Sequence, residues 1–181
     1  SGGGSNTAKV KVVTSTDVYA DLVKQVGGDN VDVHAFVSST ATDPHSYEAS
    51  ASDKLQIKDA KLAVVNGGGY DYFLEKDAGQ NQKVVNAVKT SGKLSDADYD
   101  HLIEHHSGGE GHGHNHGSEA EEGGGHEHAH EFNEHLWYDF DTVKKVTNKI
   151  ADDLAEIDSS HADQYRENAK KLTGEIDSLE E

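Results

Sequence analysis

Cysteine is absent from this chain of 181 residues, and so is methionine; proline and tryptophan occur once each. Each absence closes off some chemistry. Without cysteine there is no disulfide framework, no thiolate metal site and no thiol nucleophile. No apolar run approaches the roughly 20 residues a membrane-spanning helix needs. Basic residues are also scarce, with 16 Lys and Arg against 34 Asp and Glu and a net charge of −18. Such an acid excess repels phosphate backbones, which excludes nucleic acid as the expected partner and favours cations. The missing initiator methionine implies that an N-terminal segment has been removed, and Ser1-Gly-Gly-Gly-Ser5-Asn-Thr reads as a flexible tether.

Histidine is what the chain has in excess. Ten of its 13 histidines lie between His101 and His135. Between Glu104 and Glu131 any globular pattern stops, and His105, His106, His112, His114, His116, His126, His128 and His130 alternate with Gly, Glu and Asn. Neutral imidazole is a common ligand for borderline metals, and glycine leaves the backbone loose enough to bring several rings to one ion, so the tract reads as a weak metal-collecting loop. Its glycines, charges and missing apolar period predict no stable secondary structure over 104–131.

Elsewhere the pattern is that of an α/β protein. Val10, Val12 and Val13 predict a first strand, and Val18, Leu22, Val23 and Val26 a helix that Gly27-Gly28 terminates. Val31, Val33, Ala35 and Val37 alternate as a second strand, Ser52 to Lys58 reads as a short helix, and Leu62 to Val65 as a fully apolar third strand closed by Asn66-Gly-Gly-Gly69. Tyr70 to Lys76 predicts a helical turn, and Val84, Val85 and Val88 a fourth strand. Strands alternating with helices predict a parallel four-stranded sheet flanked by helices. Beyond Trp137 the period is helical: Val143, Val146, Ile150, Leu154 and Ile157 form one stripe. Ser160 to Asp163 reads as a capping box opening a long helix with Tyr165, Ala169, Leu172, Ile176 and Leu179 on one face. Four acids close to the end, Glu175, Asp177, Glu180 and Glu181, would sit on the negative pole of that helix, which suggests that the chain stops inside it.

Two histidines stand apart from the tract. His45 lies in Asp43-Pro-His-Ser-Tyr-Glu48, in the loop after the second strand, where α/β folds collect ligands, and His135 lies in Asn133-Glu-His-Leu-Trp-Tyr-Asp139. Two zinc-protease patterns also occur, His126-Glu-His-Ala-His130 and the inverted His101-Leu-Ile-Glu-His105. The first is flanked by glycine and the second runs into Ser107-Gly-Gly, so neither offers the buried helix and third ligand a hydrolase requires, and no nucleophile sits beside a base.

The segments Pro44-His45-Ser46-Tyr47-Glu48, Asn66-Gly67-Gly68 and His135-Leu136-Trp137-Tyr138-Asp139, with a His- and acid-rich insertion before the last, occur in the order seen in the zinc- and manganese-binding receptors of bacterial metal ABC importers. From Lys9 to Glu181 the chain resembles that family, although Glu134 and Phe140 stand where proline is common. The resemblance implies an N-terminal lobe followed by part of a linking helix, with His45 and His135 as half of a primary metal site and the remaining ligands on a C-terminal lobe. It divides the chain into a tether (1–8), an α/β metal-binding lobe (9–141) carrying the His-rich loop (104–131), and helices that begin the interlobe connection (142–181). It further implies Zn2+ as cargo ahead of Mn2+, delivery to an ABC permease, no enzymatic activity, a monomer, and an extracytoplasmic location with a possible N-terminal lipid anchor, since the tether resembles the segment after a lipidated cysteine. A zinc buffer or metallochaperone uncoupled from transport is the alternative, and a zinc hydrolase a more distant one.

Overall fold

The structure is a computed structural model that describes residues 8–38, 43–112 and 139–180, with the side chains of 105–112 outside that description. Four strands, β1 (Val10–Thr16), β2 (Val31–Val37), β3 (Leu62–Val65) and β4 (Lys83–Asn86), form one all-parallel sheet in the order β2-β1-β3-β4. The register places Val12 beside both Val33 and Leu62, and Val64 beside Val85. Every residue of β3 is buried, as a parallel strand covered on both faces must be. β2 is an edge, and there Asp32 and His34 face out.

Helices cover both faces. On one side α1 (Asp17–Gly27) packs with two later helices, α6 (Phe140–Ile157) and α7 (Ala162–Glu180), around Val12, Val23, Val64, Ile150, Leu154 and Tyr165. The α6 and α7 stripes are those the helical period predicts, except that Leu179 is 70% exposed. Ion pairs from Lys144 to Asp177 and Glu180 lie along their contact. On the other side α2 (Ala51–Asp59) and the short α3 (Tyr72–Glu75) bury Ile57, Phe73 and Leu74 against Val13, Ala63 and Val65. Then come α4 (Ala87–Ser91) and α5 (Asp96–His112), which meet in a small cluster of Val88 and Tyr99.

Three expectations change. Val88 lies in α4 rather than in the fourth strand, because the Asn86 side chain accepts from the Lys89 N–H and starts a helix there. No capping box forms at Ser160: a 3-10 turn occupies Ser159–His161, and the Ser160 hydroxyl is spent on the Asp158 carboxylate. The box forms instead at Ser50, whose side chain and backbone exchange hydrogen bonds with Asp53. Residues 104–112, assigned above to the unstructured loop, continue α5; Ser95 caps that helix at the Asp98 N–H and Tyr99 is buried in its first turns, and extension from a formed nucleus gains one hydrogen bond for each residue ordered. The rest of the tract, from residue 113 to residue 138, lies outside the described residues.

Candidate metal centre

The carboxyl ends of the parallel strands converge on one edge, and the loops leaving it carry the residues with chemistry to offer. His45 sits there on a 3-10 turn, Pro44–Ser46, in the connection that follows β2. Proline at the first position presets φ, and Asp43 caps the turn, its Oδ1 accepting from the His45 N–H at 3.0 Å. The same oxygen lies 3.3 Å from His45 Nδ1. A ring that turns Nδ1 to a carboxylate in this way has the orientation that suits ligation through Nε2. The Tyr70 ring and the imidazole meet in a T-shaped contact, with centroids 4.9 Å apart and planes at 80°.

The rest of the Pro-His-Ser-Tyr-Glu segment is tied to α2. Tyr47 donates to Asp53 Oδ2 at 2.6 Å and packs against Phe73, while Asp53 also takes the Ser50 N–H. That hydrogen bond to a carboxylate raises the Tyr47 pKa; burial pushes Asp53 up, but the bonds from Tyr47 and Ser50 outweigh it and leave Asp53 below the usual range.

Behind His45, the turn after β3 is built from Asn66 and glycines 67, 68 and 69, with φ of 87°, 68° and 89° at the three glycines. Glycine is required at Gly67 on a second count: a Cβ there would stand 2.1 Å from Asn86 Oδ1. Asp71, wholly buried, accepts from the Asn66 and Gly67 N–H groups at 2.6 and 3.0 Å. Burial raises its pKa against the pull of those bonds. Tyr19 donates to Asn66 Oδ1 at 2.6 Å, and burial, followed by the charge of Asp71, raises its phenol. Tyr99 takes the Gly68 N–H at 2.9 Å and the Asn86 side-chain N–H at 2.7 Å, and gives its own proton to Glu75 in a very short bond. Burial raises Glu75 despite that bond.

Of the histidines singled out by sequence, the structure places His45 on this edge. His135, the proposed second primary ligand, lies outside the described residues, as do His114, His116, His126, His128 and His130. His105, His106 and His112 fall in the last turns of α5, with their side chains outside the description. Among the described residues no three His, Asp or Glu side chains gather to hold a metal, and His101 and Glu104 of the inverted protease pattern are exposed. Asp139, at the end of the His135 segment, is the N-cap of α6: Oδ1 accepts from the Asp141 and Thr142 N–H groups, and Oδ2 from the Thr142 hydroxyl and Lys93. Sequence reasoning assigned no role to Asp139, Asn86, Asp71, Glu75 or Tyr99. An Asp or Asn just before a helical run is the capping signal that finds the first two, but no local signal finds the others.

A parallel sheet covered on both faces, with a carboxylate-held histidine presented where its strands end, is an α/β lobe with a candidate ligand edge. A sequence model of the family described as "Zinc-uptake complex component A periplasmic" matches residues 12–181, and the chain belongs to that family. It is 25% identical over 172 residues to the manganese ABC transporter substrate-binding lipoprotein PsaA of Streptococcus anginosus, covering 95% of this chain and 50% of that protein. Against the manganese-binding lipoprotein MntA of Halalkalibacterium halodurans the identity is 27% over 172 residues, covering 95% and 48%. Among solved structures, the periplasmic zinc-binding protein TroA from Treponema pallidum superposes with a TM-score of 0.67 at 18% identity, covering 95% of this chain and 53% of that one. The last likeness shows the fold alone. The chain spans about half the length of the relatives it matches.

Proposed function

We propose that the chain is the metal-binding lobe of an extracytoplasmic solute-binding protein that captures a divalent transition metal, zinc ahead of manganese, for delivery to an ABC permease. The observation that carries this reading is the seat of His45: a solvent-facing imidazole at the ligand-collecting edge, its Nδ1 turned to Asp43 and its ring held by Tyr70. Membership of a family described by zinc uptake supports it, as do the relatives' names as substrate-binding lipoproteins rather than enzymes. On this reading His45 and His135 are primary ligands. Two imidazoles fill half of a tetrahedral zinc shell, leaving the other positions to water, to tract histidines or to a second lobe. The tract raises the local supply of metal through weak, exchanging contacts. The protein acts as a monomer, held to the membrane surface by an N-terminal lipid; no helix among the described residues is long and apolar enough to cross a membrane.

The PsaA and MntA relatives are named for manganese, which favours that ion as the second reading. Imidazole ligands and the position of zinc above manganese in the divalent affinity order favour zinc. Calorimetric titration with each ion decides between them. Zinc is expected to bind the more tightly, to lose its tightest site in the His45→Ala/His135→Ala chain while weaker tract sites persist, and to weaken as the pH is lowered toward about 5.5, where protons compete for imidazole. Tighter manganese binding would overturn the zinc assignment, and an unchanged tightest site in the double variant would overturn the primary ligands.

A further inference from the structure

In the segment from Asn66 to Gly69 every backbone N–H is taken by a side chain: Asn66 and Gly67 by Asp71, Gly68 by Tyr99, and Gly69 by Glu75. Three consecutive glycines at positive φ have the widest conformational freedom a chain can possess, so the shape of this turn is set by those acceptors. Asp71 and Glu75 lie within six residues of their donors. Among the acceptors of these four N–H groups Tyr99, 31 residues from Gly68, is the long-range one, and Tyr19 adds a separate tie to the Asn66 side chain. It is the one buried side chain of α5 among the residues whose side chains are described, and its hydroxyl is saturated, accepting from Gly68 and Asn86 and donating to Glu75. Lys89 closes over the ring, 4.8 Å from its centroid. Directly after the turn comes Tyr70, whose N–H returns to the Gly67 carbonyl and whose ring meets His45.

We propose that Tyr99 is a positioning residue for His45: by fixing α5 to the Gly68 N–H it holds the turn that presents the Tyr70 ring to the imidazole. The consequence for metal affinity rests on the reading of His45 as a ligand; the positioning itself does not. A network with every member satisfied is rigid, and removal of one hydroxyl leaves Gly68, Asn86 and Glu75 to find new partners together.

The test uses the whole chain and two readouts, the ring carbon and proton signals of His45 in the metal-free protein and zinc affinity by calorimetry. Tyr99→Phe is expected to move the His45 ring signals toward those of Tyr70→Leu and to lower zinc affinity roughly tenfold, as loss of a partner behind a metal ligand does. In a Tyr70→Leu background Tyr99→Phe should add nothing further to either readout. The control is Tyr165→Phe, which removes another carboxylate-bound phenol, at the turn between α6 and α7, and should leave the His45 signals in place. If Tyr99→Phe prevents folding, Glu75→Gln, which withdraws one acceptor while keeping the phenol, is expected to move the same signals. His45 signals unmoved in a folded Tyr99→Phe chain, or moved equally by Tyr165→Phe, would overturn the proposal. Absence of zinc binding to the unsubstituted chain would overturn the metal reading instead, while the metal-free signals still decide the positioning.

Discussion

Asp43 holds His45 twice with one oxygen: Oδ1 accepts the His45 backbone N–H at 3.0 Å and lies 3.3 Å from the Nδ1 of the same residue. One acceptor therefore serves both the turn and the ring. Asn keeps an oxygen at that position, and Ala does not. Asp43→Ala is expected to weaken zinc binding by about tenfold or more, and Asp43→Asn to stay near the parent chain. Nitrogen shifts of the metal-free His45 ring provide a check independent of affinity, with the Nδ1–H tautomer retained in the Asn variant and mixed in the Ala variant.

Gly67 and Gly92 both have positive φ, but their surroundings differ. A Cβ on Gly67 would collide with the Asn86 side chain, whereas one on Gly92 meets nothing within 4 Å. Gly92→Ala should cost about 1–2 kcal/mol, the left-handed penalty alone. Gly67→Ala adds a steric clash within a hydrogen-bonded cluster and should cost about 3 kcal/mol or more. Urea unfolding of the two variants compares them directly, and equal losses would mean that the contact with Asn86 is easily relieved.

Asp158 anchors the turn between α6 and α7, accepting from the Tyr165 hydroxyl at 2.6 Å, His161 Nδ1 at 2.8 Å and the Ser160 hydroxyl at 3.0 Å. Burial opposes its ionisation, but these bonds prevail and hold its pKa below the usual value. A depressed folded pKa means that its stabilisation is complete above the unfolded carboxylate value, near pH 4, and is lost as pH falls through the folded one. Asp158→Asn should flatten that part of the acid unfolding profile. Asp158→Ala should also cost about 1–3 kcal/mol at neutral pH, since the buried Tyr165 hydroxyl loses its acceptor. Thermal unfolding from pH 7 to pH 2.5 reads both effects.

Asp139 and Lys93 form an ion pair, yet the two partners should differ in weight. Asp139 also caps α6 through two N–H groups and the Thr142 hydroxyl, so Asp139→Ala should lose about 1–2 kcal/mol. Lys93 is partly exposed and contributes through the pair, so Lys93→Ala should lose less than about 1 kcal/mol. Matching losses in chemical denaturation would show that the ion pair, not the cap, dominates.

Much of this lobe is determined by local sequence. The unbroken apolar run of Leu62–Val65 and the period of the α6 and α7 stripes reflect which side chains are buried, and that is written residue by residue. The Pro-His-Ser-Tyr-Glu segment is equally local: proline, the Asp43 cap and the Ser50–Asp53 box all act within a few positions of His45, so a ligand candidate was legible there. Val88 and Ser160 misled the reading because a neighbouring side chain, Asn86 or Asp158, took the decisive hydrogen bond.

Tertiary structure decided what surrounds His45. Tyr99 reaches Gly68 across 31 residues, Glu75 across 24 and Asn86 across 13, because the strand order sets the loops after β3 and β4 side by side at one edge. No period or cap announces such a meeting. Local sequence chooses the state of each element through backbone preference and burial of one face, whereas the partners of a buried hydroxyl or carboxylate are whichever groups the folded sheet brings within hydrogen-bond reach.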